Sequence, residues 1–573
     1  MGTATAAAPQ ARSGRPIAWI RPTDADRAKL ARARSRTVWQ AISDAAALDP
    51  GRDALVAADD HGTVTRLTYG QLLERVRNLS AGLASIGVER GDRVVLWMTN
   101  RLEWVISCFA AARLGAAVVP INTFLKPPEV AYCITQSGAR HLIMLDRFRK
   151  LDMPAMLAGI CPEFAGARQP GSLASAAMPQ LDNVILFQRL GTSHPGAHDW
   201  AMLEDIGARN LGGWRDRADA MGHAASAEDI FMIKYTSGST GFPKGVMLQQ
   251  GGFVANGILH AERTGMGRSD IYFSMMPFFH AGGSIYGLMS MLPQGGTLVF
   301  TEAFSVDLAL RLLQEERATI FISVLGREVV TEAHRRAITL PLIHMAAVPN
   351  DMARQVLPNA RFAFSPYGLT ETYGPASITG PMDPPEKQAS TGGRPLPGNE
   401  VRVIDPHTGM DLGPNQIGEA WLRGNTMVGY WDKPDETARA LDDDGWIHSE
   451  DLVSVDEDGF ITYRGRIKLM AKVGGENVSL EEVERTAAAH EAITHCAAVC
   501  VADPRKVEAV RLYVVGRSDM PITGDQLLAW LKPQLAHFKL PREIVFVDDL
   551  PRLGSAKLDR LKLAEWAQQD IGP

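Results

Sequence analysis

The 573-residue sequence predicts an α/β protein, with a large N-terminal body of layered sheets and helices and a small α+β domain at the C-terminus. Three observations predict it. The chain is several times the length of one ordinary domain, which calls for a multi-lobed body or several domains. Strand and helix periods alternate through its first part. From about Leu469 onward the elements become short and change order, as expected of a separate unit.

Taken in order, Thr68 followed three residues later by Gln71 forms a capping box, and Leu72, Val76, Leu79 and Leu83 then recur at helical spacing until Gly87. Residues 93–97 (RVVLW) read as a strand, 104–114 as a helix and 117–120 (AVVP) as a second strand. That rhythm belongs to a parallel sheet covered by helices. The segments 161–181 and 192–224 are dense in Gly, Ala, Pro and polar residues, show no clear period, and read as surface loops or subdomain joints. Phe231, Ile233 and Tyr235 alternate as in a strand. The final unit reads as helix 480–489, strands 497–502 and 511–515, helix 524–535 and strand 544–547. The expected division is a lead-in at 1–37, frayed at its start, a body at 38–467 and a mobile C-terminal domain at 468–573.

Composition narrows the function. Lys and Arg number 59 against 65 Asp and Glu, and no basic block follows the track of a phosphate backbone, so a nucleic-acid partner is not expected. The five cysteines (Cys108, Cys133, Cys161, Cys496, Cys500) are scattered and lack CxxC spacing, which argues against a disulfide frame or a zinc site and suits a reducing compartment. No apolar run is long enough to span a bilayer, and the Ala/Gly/Ser-rich start lacks the apolar core of a signal peptide. The cytoplasm is the expected location.

The segment Tyr235-Thr236-Ser237-Gly238-Ser239-Thr240-Gly241-Phe242-Pro243-Lys244-Gly245 carries the most chemical information. Its glycines let backbone N–H groups point into one concavity, its hydroxyls add donors and Lys244 adds a mobile charge, which together suit a polyphosphate. The spacing is not that of a Walker loop, because Pro243 precedes and Gly245 follows the lysine. A flexible linker would not be expected directly after a core strand.

Further along stand Pro277-Phe278-Phe279-His280-Ala281-Gly282-Gly283, Tyr367-Gly368-Leu369-Thr370-Glu371, Trp446-Ile447-His448-Ser449-Glu450-Asp451 and Tyr463-Arg464-Gly465-Arg466-Ile467-Lys468. Gly474-Gly475-Glu476-Asn477-Val478 and Leu550-Pro551-Arg552-Leu553-Gly554-Ser555-Ala556-Lys557 follow. Each alone has an ordinary reading. A histidine among Phe and Met is usually a satisfied core side chain, Gly-x-Thr-Glu can be a helix N-cap with an acid in its first turn, and a lysine near a chain end is usually solvated.

Their order and spacing resemble the acyl-adenylate-forming (ANL) superfamily, which includes acyl-CoA synthetases, firefly luciferase and the adenylation domains of peptide synthetases. The resemblance runs from about residue 38 to 565 and is nearest to acyl-CoA synthetases and fatty-acyl-CoA ligases. It implies that Thr236, Ser237, Gly238, Ser239, Thr240, Gly241 and Lys244 hold the β- and γ-phosphates of ATP. It implies also that His280 borders the carboxylate site, with Phe279, Gly283 and Ser284 in the acyl pocket. Tyr367 and Gly368 would face adenine, Thr370 would donate to phosphate and Glu371 would ligate Mg²⁺. Asp451 and Arg466 would bind the ribose, and Lys468 would be the hinge between the domains. Gly474 and Gly475 would turn toward the pantetheine tunnel, and Lys557 would bridge the attacking carboxylate and the α-phosphate.

The departures are few. Ser323-Val324-Leu325-Gly326 and Met345-Ala346-Ala347-Val348-Pro349 replace commoner pocket segments, Gln249-Gln250 stand for a Thr-His pair, Glu450 replaces a glycine and Ala556 precedes the catalytic lysine in place of glycine. None removes a charged catalytic group. What the resemblance implies is ATP-dependent activation of a carboxylic acid to an acyl-AMP, followed by transfer to coenzyme A. Two rivals stay open: an amide-forming ligase that uses an amine or amino acid as acceptor, and a nucleotide-binding protein without catalysis. Met275, Met276 and Phe279 suggest a hydrophobic acid.

Overall fold

The computed structural model describes residues 18–171, 173–236, 243–323, 326–347, 351–361, 365–406, 408–473, 476–503, 507–535, 537–552 and 558–568. They fall into two compact units. The larger takes the described residues within 22–399 and 424–445, the smaller those within 18–21, 400–423 and 446–568.

The largest sheet of the larger unit has eight strands, in the order Ala197–Asp199, Asn183–Phe187, His141–Leu145, Arg93–Trp97, Ala117–Pro120, Ile230–Thr236, Lys244–Gln249 and Gly429–Tyr430. The first six run parallel, and the last two add antiparallel pairings at one end. Central strands such as Arg93–Trp97 and His141–Leu145 are buried along nearly their whole length, as expected where helices cover both faces. A second sheet of six strands runs from Met345–Ala346 to Val64–Thr68, and the hairpin Pro366–Leu369 with Gly374–Ile378 anchors a third of three strands.

The sequence-predicted elements of this unit fall close to their expected bounds. The helix Tyr69–Ser85 begins at Thr68, whose hydroxyl accepts from the Gln71 N–H at 3.2 Å while the Gln71 carbonyl oxygen accepts from the Thr68 N–H at 2.9 Å. The loop expected at 192–224 is a correction. It holds the helices Trp200–Ala208 and Trp214–Ala224, both packed on Tyr69–Ser85. For Trp200–Ala208 the physical reason is close backbone approach: a Cβ at Gly82 would collide with the Leu203 carbonyl and one at Gly207 with the Asn78 backbone, so small residues occupy the crossing where a longer apolar stripe would mark a helix. Trp214–Ala224 buries Ala218 and is held by the Arg77–Asp219 ion pair, which likewise leaves no apolar stripe.

In the smaller unit a five-stranded antiparallel sheet joins Trp19–Ile20, Glu400–Ile404, Gly418–Arg423, Ile447–Val455 and Ile461–Arg466. After the 3-10 turn Ile467–Leu469 comes a second sheet, built on the long hairpin Ile493–Asp503 and Val507–Gly516, with helices Leu480–Ala488 and Gly524–Leu531. Leu480, Val483, Ala487, Val510, Leu512, Leu527 and Leu531 form its separate core.

Candidate active site

In the larger unit the strand Ile230–Thr236 returns as Lys244–Gln249, with Thr236 opposite Lys244 and Tyr235 opposite Gly245. Ser237, Gly238, Ser239, Thr240 and Gly241 lie between them, outside the described residues. The base of this hairpin is fixed by aromatic side chains. The Tyr235 hydroxyl donates to the Gln136 side chain, and the Tyr132 hydroxyl donates to the Pro243 carbonyl at 3.0 Å.

Lys244 is thereby aimed at the neighbouring strand. Its ammonium lies 5.0 Å from the centre of the Tyr430 ring, over the face where a cation is attracted by the ring quadrupole. The Tyr430 hydroxyl donates to Glu371 Oε1 at 2.8 Å, and the Glu371 carbonyl accepts from the Met427 N–H at 2.7 Å. Two expected phosphate-site residues, 127 positions apart in the sequence, are thus joined through one tyrosine. Tyr430 was not among the residues singled out from the sequence. Its signal was weak, the first of two aromatics after Gly429, far along the chain from both partners.

Glu371 sits in the first turn of a helix, as Gly-x-Thr-Glu suggests, but that helix is 3-10 and only three residues long. Thr370–Thr372 is a single 3-10 turn at the tip of the hairpin Pro366–Leu369 and Gly374–Ile378. Tyr373 closes that turn in the left-handed region at φ 57°, and its hydroxyl accepts from the Gln249 N–H at 3.0 Å. A single turn won over a longer helix because Thr372 Oγ1 donates to the Gly374 carbonyl at 2.8 Å and Asn256 clamps the Thr372 and Pro375 carbonyls at 2.9 and 3.1 Å. Tyr367 is buried, and Gly368 packs so tightly that a Cβ would collide with the Gly374 carbonyl.

The aromatic-histidine segment lies against the same hairpin. A Cβ on Gly374 would stand 3.6 Å from that of Ala281. His280 is exposed, its ring 4.6 Å from that of Phe279, and Phe124, 64% exposed, meets Phe279 edge-on at 6.4 Å. The segment folds as a tight elbow, since a Cβ at Gly283 would collide with the Pro277 carbonyl. Asn100 holds one side, donating to the Met276 carbonyl and accepting from the Phe278 N–H, each at 2.9 Å. The elbow runs into the π-helix Gly282–Met289, a form that clusters at functional sites.

Lys234 holds the other side of the elbow. It is 4% exposed, and its Nζ donates to the Phe279 carbonyl at 3.0 Å and to Ser284 Oγ at 2.9 Å, while Ser284 Oγ donates to the His280 carbonyl at 2.8 Å. Burial pulls its pKa from the usual 10.5 down to about 7. Lys234 was not among the residues singled out from the sequence, although a lysine directly after the apolar run Phe231-Met232-Ile233 is a visible break in pattern.

Within the smaller unit, Asp451 and Arg466 are cross-strand partners, with Nε to Oδ1 at 2.8 Å. The carboxylate is buried and the guanidinium side chain exposed. Beside them Glu450, at the position noted as usually glycine, holds φ 56°, the left-handed conformation that glycine adopts without strain. Lys468 lies in the turn Ile467–Leu469. Gly474, Gly475 and Lys557 are outside the described residues. The strands Met470–Val473 and Glu476–Ser479 pair with Val473 opposite Glu476, and Arg552 bridges to Leu558.

A model of the family described as AMP-binding enzyme matches residues 42–431, and one for the AMP-binding enzyme C-terminal domain matches 482–557. The chain belongs to the AMP-binding enzyme family. Both halves of the Lys244–Tyr430–Glu371 connection fall in the first match, and Lys557 falls in the second. Among similar family members is the medium-chain acyl-CoA ligase ACSF2, mitochondrial, of Homo sapiens, 30% identical over 94% of this chain and 88% of its own length. Another is the 3-[(3aS,4S,7aS)-7a-methyl-1,5-dioxo-octahydro-1H-inden-4-yl]propanoyl:CoA ligase of Mycobacterium tuberculosis, 31% identical over 92% of this chain and 99% of its own. Of solved structures, ATP-bound MatB from Rhodopseudomonas palustris superposes with a TM-score of 0.73 at 23% identity, covering 93% of this chain and all of the other, which establishes the shared fold. Among the described residues no helix is long and apolar enough to cross a membrane, and no group of three or more His, Cys, Asp or Glu could hold a metal ion.

Proposed function

We propose that this chain is an AMP-forming acid–thiol ligase, an acyl-CoA synthetase, which activates a hydrophobic carboxylic acid with ATP and Mg²⁺ and passes the acyl group to coenzyme A. The observation that supports it most is the Lys244–Tyr430–Glu371 connection at the mouth of the glycine-rich hairpin, in a chain whose family relatives are CoA ligases. It sets a cation and a carboxylate on either side of one tyrosine, as polyphosphate and its metal require.

The chemistry is a matter of placing charge. A carboxylate oxygen attacks the α-phosphorus of ATP, the bond to the bridging oxygen breaks, and pyrophosphate leaves carrying the electron pair. Thr236, Ser237, Gly238, Ser239, Thr240, Gly241 and Lys244 surround the departing phosphates, Thr370 donates to phosphate, and Lys557 neutralises the approaching acid. Glu371 would hold Mg²⁺, which would supply positive charge toward the β- and γ-phosphates; a single protein carboxylate fits an ion that usually keeps water and phosphate oxygens as its other ligands. Tyr367 and Gly368 border adenine, and Asp451 with Arg466 takes the ribose hydroxyls. His280 borders the reacting carboxylate, and Phe279, Gly283 and Ser284 line the acyl chain. The C-terminal domain, 468–573, then turns about Lys468, withdraws Lys557 and brings Gly474 and Gly475 to the thiol channel. The thiol attacks the acyl carbon, the C–O bond to AMP breaks, and the thioester is released.

The test is product analysis. Enzyme, ATP, Mg²⁺ and a panel of acids should yield AMP and pyrophosphate, with thioester when CoA is present, whereas ADP would refute the reading. Parallel incubation with amino acids in place of CoA separates an amide-forming ligase. Lys557→Ala should abolish acyl-AMP formation yet convert supplied acyl-AMP to thioester, and equal loss of both half-reactions would contradict its assigned place.

A further inference from the structure

Lys234 is a charge-bearing group buried where nothing compensates it in the usual way. Among the described residues the Cys108 thiol is the one titratable group that acts on it, and no carboxylate pairs with it. The helix Gln250–Thr264 presents Phe253, whose ring centre is 5.9 Å from Nζ, and the elbow presents only the Phe279 carbonyl and the Ser284 hydroxyl. Burying an ammonium without a counter-charge opposes folding, so an apolar residue would be expected on this strand if packing were all that mattered.

The two bonds explain what it does instead. Turning the chain sharply at 276–284 uses the His280 carbonyl for the Ser284 N–H and the Pro277 carbonyl for the His280 N–H. The Phe279 carbonyl takes its bond from a side chain, and that side chain is Lys234. The same nitrogen holds Ser284, whose hydroxyl holds the His280 carbonyl, so the backbone on both sides of His280 is tied to one point on a core strand. We propose that Lys234 is a positioning residue for acid activation, which fixes Phe279 and His280 at the mouth of the acyl pocket through this pair of hydrogen bonds. The proposal rests on the acid-activating reading above. Its action is as a donor more than as a charge: with its pKa brought down by burial to about 7, the neutral amine still offers two N–H groups to two acceptors.

The test uses the full chain and ATP–pyrophosphate exchange, with octanoate, decanoate, benzoate and cyclohexanecarboxylate as probes. For the acid that gives the fastest wild-type exchange, Lys234→Met should raise the KM for acid and lower kcat, by about 10-fold or more together, and leave the KM for ATP within about 3-fold. Lys234→Gln, which restores N–H donors without charge, should recover most of the loss. Unfolding midpoints of both variants accompany the kinetics. A wild-type KM for acid in Lys234→Met, or acid and ATP terms that move together in step with the folded fraction, would overturn the proposal. If Lys234→Met does not fold, Ser284→Ala decides: losing the hydroxyl that joins Nζ to the His280 carbonyl should raise the acid KM while the ATP KM stays put, and an unchanged acid KM overturns the proposal. Wild-type enzyme that exchanges with none of the acids removes the acid-activating reading itself, and the positioning role falls with it.

Discussion

Replacing Lys234 with Met should remove a pH dependence of folding stability that the wild-type chain carries between neutral and mildly alkaline pH. Folding lowers the pKa of this lysine from the usual 10.5 to about 7, because the charged form is deprived of water. Between those two values the unfolded chain binds a proton that the folded chain has released, so stability rises with pH. Each unit is worth about 1.4 kcal/mol where the difference is a full proton, which comes to about 2 kcal/mol from pH 7 to pH 9. Urea unfolding of wild type and Lys234→Met at pH 7, 8 and 9 reads this directly, since other titrating groups are common to both and cancel in the difference. Wild type should gain on the variant at each step upward. Parallel stability curves, or a wild type that loses ground as pH rises, would refute the claim that a lysine is held without a counter-charge in this core.

Tyr430→Phe keeps the ring under Lys244 and removes the hydroxyl that donates to Glu371. It should lower kcat/KM for ATP in pyrophosphate exchange by about 10-fold, the worth of one hydrogen bond to a charged group, with an unchanged melting temperature. Gly368→Ala drives a methyl group into the Gly374 carbonyl. It should destabilise the chain by about 3 kcal/mol in urea unfolding, or abolish soluble expression. Glu450→Gly relieves a left-handed residue at φ 56° worth about 1–2 kcal/mol, offset by about 0.4–1 kcal/mol of added freedom in the unfolded chain. Its melting temperature should hold or rise with activity retained, and a clear loss of stability would show that Glu450 contributes a contact that outweighs its strain.

Elements whose stability is local were legible in the sequence. The helix after Thr68 carries its own cap and apolar stripe, and the strand Arg93–Trp97 reads from five residues. The helix Trp200–Ala208 was not, because it crosses Tyr69–Ser85 so closely that Gly82 and Gly207 take the places of large apolar residues, nor was Trp214–Ala224, which buries Ala218 and is tied to that helix by the Arg77–Asp219 ion pair rather than by an apolar stripe. The same division runs through the site. Motifs contiguous in the chain, such as Tyr367 to Glu371, could be read as strings. Tyr430 and Lys234 could not, since each acts through partners 59 and 45 positions away and takes its meaning only from the tertiary structure. Even within a legible string the local conformation depended on distant atoms. Asn256, on another element, clamps Thr370–Thr372 as a turn where the residues alone suit a helix start.

The register of Thr236 against Lys244 sets a rule for how the glycine-rich hairpin can diversify. A single inserted or deleted residue taken up by the strand Ile230–Thr236 would exchange its two faces, sending Lys234 away from the elbow and Tyr235 toward it. A change in the length of this segment should therefore be absorbed outside the strand, so that Lys234 keeps its bonds to the Phe279 carbonyl and Ser284.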